Sequence, residues 1–424
     1  MYLCIYKTNK GKKLIPSIKP IRKKTDTKMK TRQLTVLLSL LACIVSLFTA
    51  CTNDDNERVS TTDPIEEQLR KMTLREKVGQ MFYVRPECLD TTIHFNKPSG
   101  IDGSSDDITK IKLQAVNATM KGVNEKYPVG GIILYAHNID NEAQLTSFVT
   151  QLRSLNGSPM LCIDEEGGRV ARIANNPNFN VKKYVSMAAI GATGDPGAAY
   201  ECATTIGTYL HRYGFDIDFA PVADVNTNPE NIVIGARAFS DNPQLAAAMV
   251  VSYLQGLKDT GIAGCIKHFP GHGDTKADTH YGYAQTLKTW EEMQNCELVT
   301  FKAGILWGCQ LIMTAHIAAP NVTGTDVPAT MSPIILQNKL RGELGYRNII
   351  IADAMEMGAI TQQYTTEEAA VGCIQAGVDI VLGPQNFVVA FDAVVKAVEN
   401  GTISEERINA SVRRILSLKA KKRI

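Results

Sequence analysis

The chain has 424 residues, of which 44% are hydrophobic and 21% charged, so it holds enough apolar material for a folded core and is not expected to be disordered or fibrous. Its formal net charge of +2 is unevenly spread, because the first 50 residues carry eleven basic side chains and a single acid, Asp26. The remainder is net acidic. This argues against a partner that needs a basic surface, such as nucleic acid.

Residues 34–50 contain no charge, follow Lys30 and Arg32, and lead into Phe-Thr-Ala-Cys at 48–51. A basic start, a short apolar run and small residues are typical of a secretory signal, whereas a membrane-spanning helix usually needs about 20 apolar residues. The end of the run resembles a bacterial lipobox, which implies cleavage before Cys51 and lipidation of its thiol. An uncleaved anchor helix is the alternative, and both interpretations tether the protein to a membrane.

These features predict three regions. Residues 1–50 would be an upstream extension and a lipoprotein signal peptide, and residues 51–62 a polar linker. Residues 63–424 would be the folded domain of an exported bacterial lipoprotein of the cell envelope, in the periplasm or on the outer membrane. A first helix is expected at Asp63, with Glu66 completing a capping box, and a second at Thr73, with Glu76 in the same role.

Short apolar runs typical of buried parallel strands recur along the chain, with amphipathic helical stretches between most of them. Alternating β and α units of this number predict an α/β protein with a (β/α)8 TIM-type barrel as its single catalytic domain. The long polar region 85–126 fits least well and is expected to combine loop with a helix at about 108–127. After Gly383 only two helices are predicted, so no second domain is expected. The eight runs are 80–84, 130–135, 160–164, 217–220, 264–268, 311–317, 349–353 and 380–383.

Polar side chains stand at the ends of most of these runs. Because the carboxyl ends of barrel strands meet on one rim, such residues converge there, and charges at inward-facing positions are costly without a partner or ligand. One isolated acid would more simply be a structural ion pair, but several on one rim predict an active site. The residues concerned are Asp164–Arg169, Asp218, Asp224, Lys267, His268, His316 and Asp353.

The segment 267–280, KHFPGHGDTKADTH, is the densest of these, and its proline and glycines predict an irregular loop. In one interpretation Asp278 orients His280, which donates and then removes a proton. In the other, four side chains bind a catalytic metal: His268, His272, Asp274 and His280. Residue types and spacing alone leave both open.

The loop resembles the signature of glycoside hydrolase family 3, in its single-domain β-N-acetylhexosaminidase branch. Three further segments are similar to that family in the same order: IDEEGGRVAR at 163–172, DFAPVADVNTNPENIVIGARAF at 218–239, and IIADAMEMGAI at 350–360. The similarity covers about residues 73–383. The sequence departs from the usual pattern at Glu165, Ile232 and Ala238, which bears on fine substrate preference.

The resemblance implies that Asp353 is the nucleophile and that His280 is the general acid/base, held by Asp278. It implies no metal and no other cofactor. The expected activity is that of a retaining exo-β-N-acetylhexosaminidase, and the expected partners are a saccharide with terminal β-linked N-acetylglucosamine and, through the lipid, a membrane. Sugar-binding roles are implied for Asp164, Arg172, Arg237, Lys267 and His268.

The sequence leaves other interpretations open. A family relative could act on glucosides or xylosides, or transfer the sugar to phosphate. A metal-dependent hydrolase could use the His-rich loop, and a non-catalytic lipoprotein could merely bind glycans. The natural glycan and the oligomeric state stay open.

Overall fold

Eight parallel strands form the centre of the part of the chain described by the computed structural model, residues 63–93 and 111–422. The predictions for residues 1–62, including the signal peptide, the linker and lipidation of Cys51, lie outside these ranges. The strands are β1 (Phe82–Val84), β2 (Gly131–Leu134), β3 (Met160–Ile163), β4 (Ile217–Asp218), β5 (Ala263–Phe269), β6 (Leu311–Thr314), β7 (Ile349–Ala352) and β8 (Val381–Leu382).

The strands follow one another around the sheet in chain order, and β8 pairs with β1. The register places Tyr83 opposite Leu382, and a parallel bridge between Ile351 and Ile380 joins β7 to the start of β8. The sheet therefore closes into the predicted (β/α)8 barrel. Each predicted run coincides with one barrel strand; β5 is longer than its run, and the other strands are shorter than theirs.

Helices surround the barrel and supply most of the remaining core. Helix Pro243–Asp259 is one of the amphipathic stretches expected between strands: Met249, Tyr253 and Leu257 are buried in the core, and Leu245 is partly buried against it. The helices after β1 to β5 are Ala118–Lys126, Glu142–Arg153, Pro196–Arg212, Pro243–Asp259 and Glu297–Trp307, with short helices at Met187–Gly191 and Trp290–Gln294. Those after β6 to β8 are Pro320–Thr323, Ile334–Glu343, Gly358–Thr361, Thr366–Ala376, Phe387–Glu399 and Glu405–Lys422.

Two helices, Pro64–Lys71 and Leu74–Gln80, precede the barrel as predicted. The capping box at Thr73 and Glu76 is confirmed. The one at Asp63 is wrong: Asp63 caps its helix by accepting from the Ile65 amide, but the Glu66 carboxylate turns away to the Arg413 guanidinium. A long-range ion pair has thus replaced the local contact.

The region between β1 and β2 is less helical than predicted. Its helix begins only at Ala118, after Asn117, whose side chain accepts from the Met120 amide and donates to Asp90 at 2.6 Å. Helix Phe387–Glu399 and the C-terminal helix appear where the sequence predicts them. Among the helices of the described ranges, none is both long and apolar enough to cross a membrane.

Candidate active site

A buried cluster of charges lies at the carboxyl ends of β3 and β5; we call Asp164, Glu166, Arg237 and Lys267 the charged floor. The Lys267 ammonium lies 2.8 Å from an Asp164 oxygen and 2.6 Å from a Glu166 oxygen. Burial lowers the pKa of Lys267, but the two carboxylates outweigh it and raise that pKa above its usual value. Lys267 therefore stays charged although its side chain is 2% exposed.

Arg237 completes the floor. Its Nε and Nη2 atoms donate to the two Glu166 oxygens at 2.8 and 2.7 Å, in a bidentate pair. Burial would raise the pKa of Glu166, yet Arg237 and Lys267 hold it well below its ordinary value of 4.5. Glu166 is thus a buried anion that holds two cations in place.

Arg172 reaches the same cluster from the short ribbon formed by Glu165–Gly167 and Val170–Ala171. Its guanidinium lies 3.4 Å from Asp164 and 5.5 Å from the centre of the Tyr135 ring. Three cations thus contact two carboxylates, and some of their N–H groups can serve a ligand.

His268, near the end of β5, is held by Asp224 and Arg237. Its Nδ1 lies 2.7 Å from Asp224, while its Nε2 lies 3.4 Å from the Arg237 guanidinium. Asp224 also accepts the His272 amide at 2.7 Å. The structure therefore brings Asp164, Arg172, Arg237, Lys267 and His268 to one rim.

Asp353 follows the last residue of β7, and its carboxylate accepts from the Ala354 amide at 2.8 Å. Burial alone would raise the pKa of Asp353, but electrostatic interactions with His268, His316 and His280, together with the Ala354 amide, leave that pKa below its usual value. The carboxylate is therefore ionised at neutral pH, as a nucleophile must be.

His280 and Asp278 lie in the segment after β5; we call residues 271–283 the acid/base loop. The His280 Nδ1 is 2.7 Å from an Asp278 oxygen, which also accepts the His280 amide at 2.9 Å. The His280 carbonyl accepts the Gly358 amide at 3.1 Å. This bond ties the loop to the segment that follows Asp353. Because Asp278 contacts Nδ1, Nε2 is the ring nitrogen of His280 that could meet a ligand.

The side chains named in the metal hypothesis take separate partners. His272 lies between Thr275, at 2.5 Å from Nδ1, and Thr279, at 3.3 Å from Nε2. Asp274 accepts from Thr286 at 2.6 Å, whereas His268 and His280 contact their own aspartates. In the described ranges no three His, Cys, Asp or Glu side chains are arranged to hold a metal ion.

Sequence reasoning gave no role to three features of the site. Glu166 joins the two cations of the floor. His316, which was placed at the rim only by its strand, lies beyond the end of β6 with its Nε2 3.0 Å from the Ala354 carbonyl. Arg85 and Glu356 form an ion pair of 2.7 Å with side chains 4% and 8% exposed, and so connect the end of β1 to the segment after Asp353.

Part of this was readable from the sequence. Alternate residues of a strand face opposite sides, so Asp164 and Glu166 share the pocket side, and Glu165 must face away. Glu165 indeed accepts the Ala174 amide and the Tyr209 hydroxyl, both at 2.8 Å, within the helix layer. Asp218 is likewise structural: its carboxylate accepts the Glu165 amide at 2.9 Å, and burial raises its pKa.

The described residues thus form a closed (β/α)8 barrel with a buried carboxylate and an imidazole–carboxylate pair on its carboxyl rim, the end at which barrels of this type carry their working groups. The chain belongs to glycosyl hydrolase family 3, since the model described as "Glycosyl hydrolase family 3 N terminal domain" matches residues 73–418. The family expectation from the sequence motifs is confirmed.

Individual relatives point the same way. The chain is 34% identical to beta-hexosaminidase A of Pseudoalteromonas piscicida over 327 residues, which cover 70% of this chain and 54% of that protein. It is 34% identical to the beta-hexosaminidase of Stenotrophomonas maltophilia over 259 residues, 60% of this chain and 76% of the relative. A family 3 beta-N-acetylglucosaminidase from a Paenibacillus species is structurally similar, with a TM-score of 0.74, 34% identity, and coverage of 83% and 63%. The chain thus spans about half to three quarters of these proteins.

Proposed function

We propose that this protein is a retaining exo-β-N-acetylhexosaminidase that releases terminal β-linked N-acetylglucosamine. The observation that carries the proposal is the pairing of the ionised Asp353 with the Asp278–His280 pair on one rim. The relatives named beta-hexosaminidases support a hexosamine as the sugar, and the structural neighbour named a beta-N-acetylglucosaminidase supports N-acetylglucosamine.

In the first step an Asp353 oxygen attacks the anomeric carbon and forms a glycosyl ester. The bond from that carbon to the leaving oxygen breaks, and its electrons go to the oxygen, which takes a proton from Nε2 of His280. Asp278, 2.7 Å from Nδ1, orients the ring and stabilises its protonated form. Because an imidazole is the proton donor, this mechanism needs no second carboxylate beside Asp353.

In the second step Nε2 of His280 removes a proton from water, and the water oxygen attacks the anomeric carbon. The ester bond breaks, its electrons return to Asp353, and the sugar leaves with its original configuration. The hydrogen bond from the Gly358 amide to the His280 carbonyl would keep His280 and Asp353 at a constant separation through both steps.

The charged floor would bind the sugar. Hydroxyl and acetamido oxygens accept from Lys267, Arg237 and Arg172, while Asp164 accepts from hydroxyl groups. Because the cations are already fixed by Glu166 and Asp164, little side-chain entropy is lost when the sugar binds.

The activity is tested with 4-nitrophenyl N-acetyl-β-glucosaminide, with product configuration followed by NMR. We expect N-acetylglucosamine with retained configuration, and loss of turnover in Asp353→Asn by at least about 10⁴-fold, because the attacking anion is gone. Inverted product, or an Asp353→Asn variant as active as the wild type, would contradict the proposal.

The rivals are separated in the same assay. Faster turnover of the glucoside or xyloside would favour the other branch of the family, and a sugar phosphate formed in phosphate buffer would indicate a phosphorylase. Loss of activity in EDTA that is regained with Zn²⁺ would indicate a metal enzyme. Tight saccharide binding without turnover would indicate a glycan-binding protein.

The location is part of the same proposal: an exported lipoprotein tethered through Cys51 in the bacterial cell envelope. The support is the uncharged run at 34–50 before Phe-Thr-Ala-Cys. In a bacterial host, radiolabelled palmitate should enter the full chain and not Cys51→Ser. Equal labelling of both would contradict the tether.

A further inference from the structure

The acid/base loop carries exposed aromatic side chains that the mechanism does not use. Seven large hydrophobic residues of the described ranges are notably exposed, and three of them, Tyr281, Tyr283 and Leu287, lie in or just after this loop. Tyr281 is 52% exposed and Tyr283 is 40% exposed. Exposed apolar residues clustered beside a site are a mark of ligand binding rather than of chance.

The backbone position of Tyr281 is fixed by the catalytic segments. Its carbonyl accepts from the Gln362 side chain at 2.8 Å, and its amide donates to the Asp278 carbonyl at 3.1 Å. A side chain at Gly358 would meet the His280 carbonyl oxygen at 2.8 Å, so the loop lies directly on the segment after Asp353. Tyr281 is therefore held at the rim together with His280.

This position decides which part of a substrate Tyr281 can meet. The proposed mechanism places the cleaved sugar on the charged floor and the leaving oxygen at Nε2 of His280. The group attached to that oxygen therefore lies on the His280 side of the cleaved bond. Tyr281 is the next residue along the loop, and its side chain is exposed to solvent.

We propose that Tyr281 forms an aglycone subsite that stacks against the ring of a second sugar, so that the preferred leaving group is a saccharide. One face of a pyranose ring presents C–H groups that are apolar and slightly positive, and these pack on the negative face of an aromatic ring. Tyr283, whose hydroxyl is 2.8 Å from Gln285 and 3.1 Å from Asp326, supports the loop beside this ring. The proposal rests on the proposed function.

The test compares kcat/KM for two substrates with the same cleaved sugar: N,N′-diacetylchitobiose, whose leaving group is a sugar ring, and the β-fluoride of N-acetylglucosamine, whose leaving group has no ring. For Tyr281→Ala we expect kcat/KM for the disaccharide to fall about tenfold more than for the fluoride, since losing the stack costs about 1.4 kcal/mol. Tyr281→Phe keeps the ring and should restore most of that difference. Tyr200→Ala, at a tyrosine 36% exposed on helix Pro196–Arg212, is the matched control and should leave the ratio of the two values unchanged.

An equal fall in kcat/KM for both substrates in Tyr281→Ala would overturn the subsite, because the tyrosine ring would then only support the loop and would not contact the leaving group. No loss on the disaccharide would overturn it too. A wild-type protein that cleaves neither substrate would overturn the proposed function, and the subsite with it, so the two failures are distinguishable.

Discussion

Lys267, at the end of β5, is 2% exposed and contacts two carboxylates, whereas His280, later in the same segment, is 34% exposed and contacts one. The charged floor is an interlocked set of buried ion pairs. The acid/base loop is tied down by backbone bonds at its end and leaves its imidazole partly in solvent. The difference fits the proposed roles: a group that only binds the sugar can be rigid and buried, whereas a group proposed to transfer protons must meet both the leaving group and water.

The largest difference between the regions should appear in His280→Ala. Removing the acid should lower kcat/KM on the disaccharide by about 10²- to 10⁴-fold, because a sugar leaves poorly without a proton. The fluoride needs far less assistance and should lose much less. His272→Gln is the control, since His272 is buried among threonines, and its loss should be the same on both substrates. If His280→Ala lowered kcat/KM equally for both substrates, His280 would not be the proton donor, and the proposed difference in role between the acid/base loop and the charged floor would be wrong.

Glu166→Gln tests the floor. Two cations lose their shared anion, so we expect kcat/KM to fall by about 10² for both substrates and the free energy of unfolding to fall by about 3–5 kcal/mol. Urea unfolding and steady-state kinetics measure the two effects. In Glu165→Gln, where the carboxylate serves amides and Tyr209 instead of cations, stability should fall with a smaller loss of activity.

Glu356→Gln tests the support beneath the nucleophile. Breaking its buried pair with Arg85 should shift the segment that holds Asp353 and lower kcat by about tenfold, with little change in KM, because the floor stays intact. A change confined to KM would place the pair in sugar binding instead.

The smallest effect is a pH dependence. The pKa of Glu166 lies well below 4.5 in the folded protein, so its ion pairs stabilise the fold above about pH 4.5 and are lost as pH falls toward the folded pKa. The difference in unfolding free energy between wild type and Glu166→Gln should therefore be widest at neutral pH and narrow below about pH 4.5. A difference that widens on acidification would contradict the assigned charges.

Local patterns predicted much of this molecule. The apolar runs located every barrel strand, and the cap at Thr73 appeared because its partner Glu76 is only three residues away. The rim followed from where the strands end, which brought Asp353 and Lys267 to one edge.

Contacts across the barrel could not be predicted in the same way. The pairing of Arg85 with Glu356 exists only because β8 closes onto β1, and no local spacing reports it. The Glu66 carboxylate pairs with Arg413 instead of capping its own helix, and this contact between residues far apart in the sequence has no local pattern either. The role of Glu166 could have been predicted, since the alternation of side chains along a strand places Glu166 on the side of Asp164 and Glu165 on the opposite side.

A covalent bond between Asp353 and the sugar is the defining step of the proposed mechanism, and the ester can be trapped. Incubation with a 5-fluoro N-acetylglucosaminyl fluoride slows the second step, and digestion followed by mass spectrometry locates the label. We expect one fluorinated N-acetylhexosaminyl group per chain, attached to Asp353, and no labelling of Asp353→Asn. A label on another residue, or turnover with inversion and no trapped ester, would contradict the account.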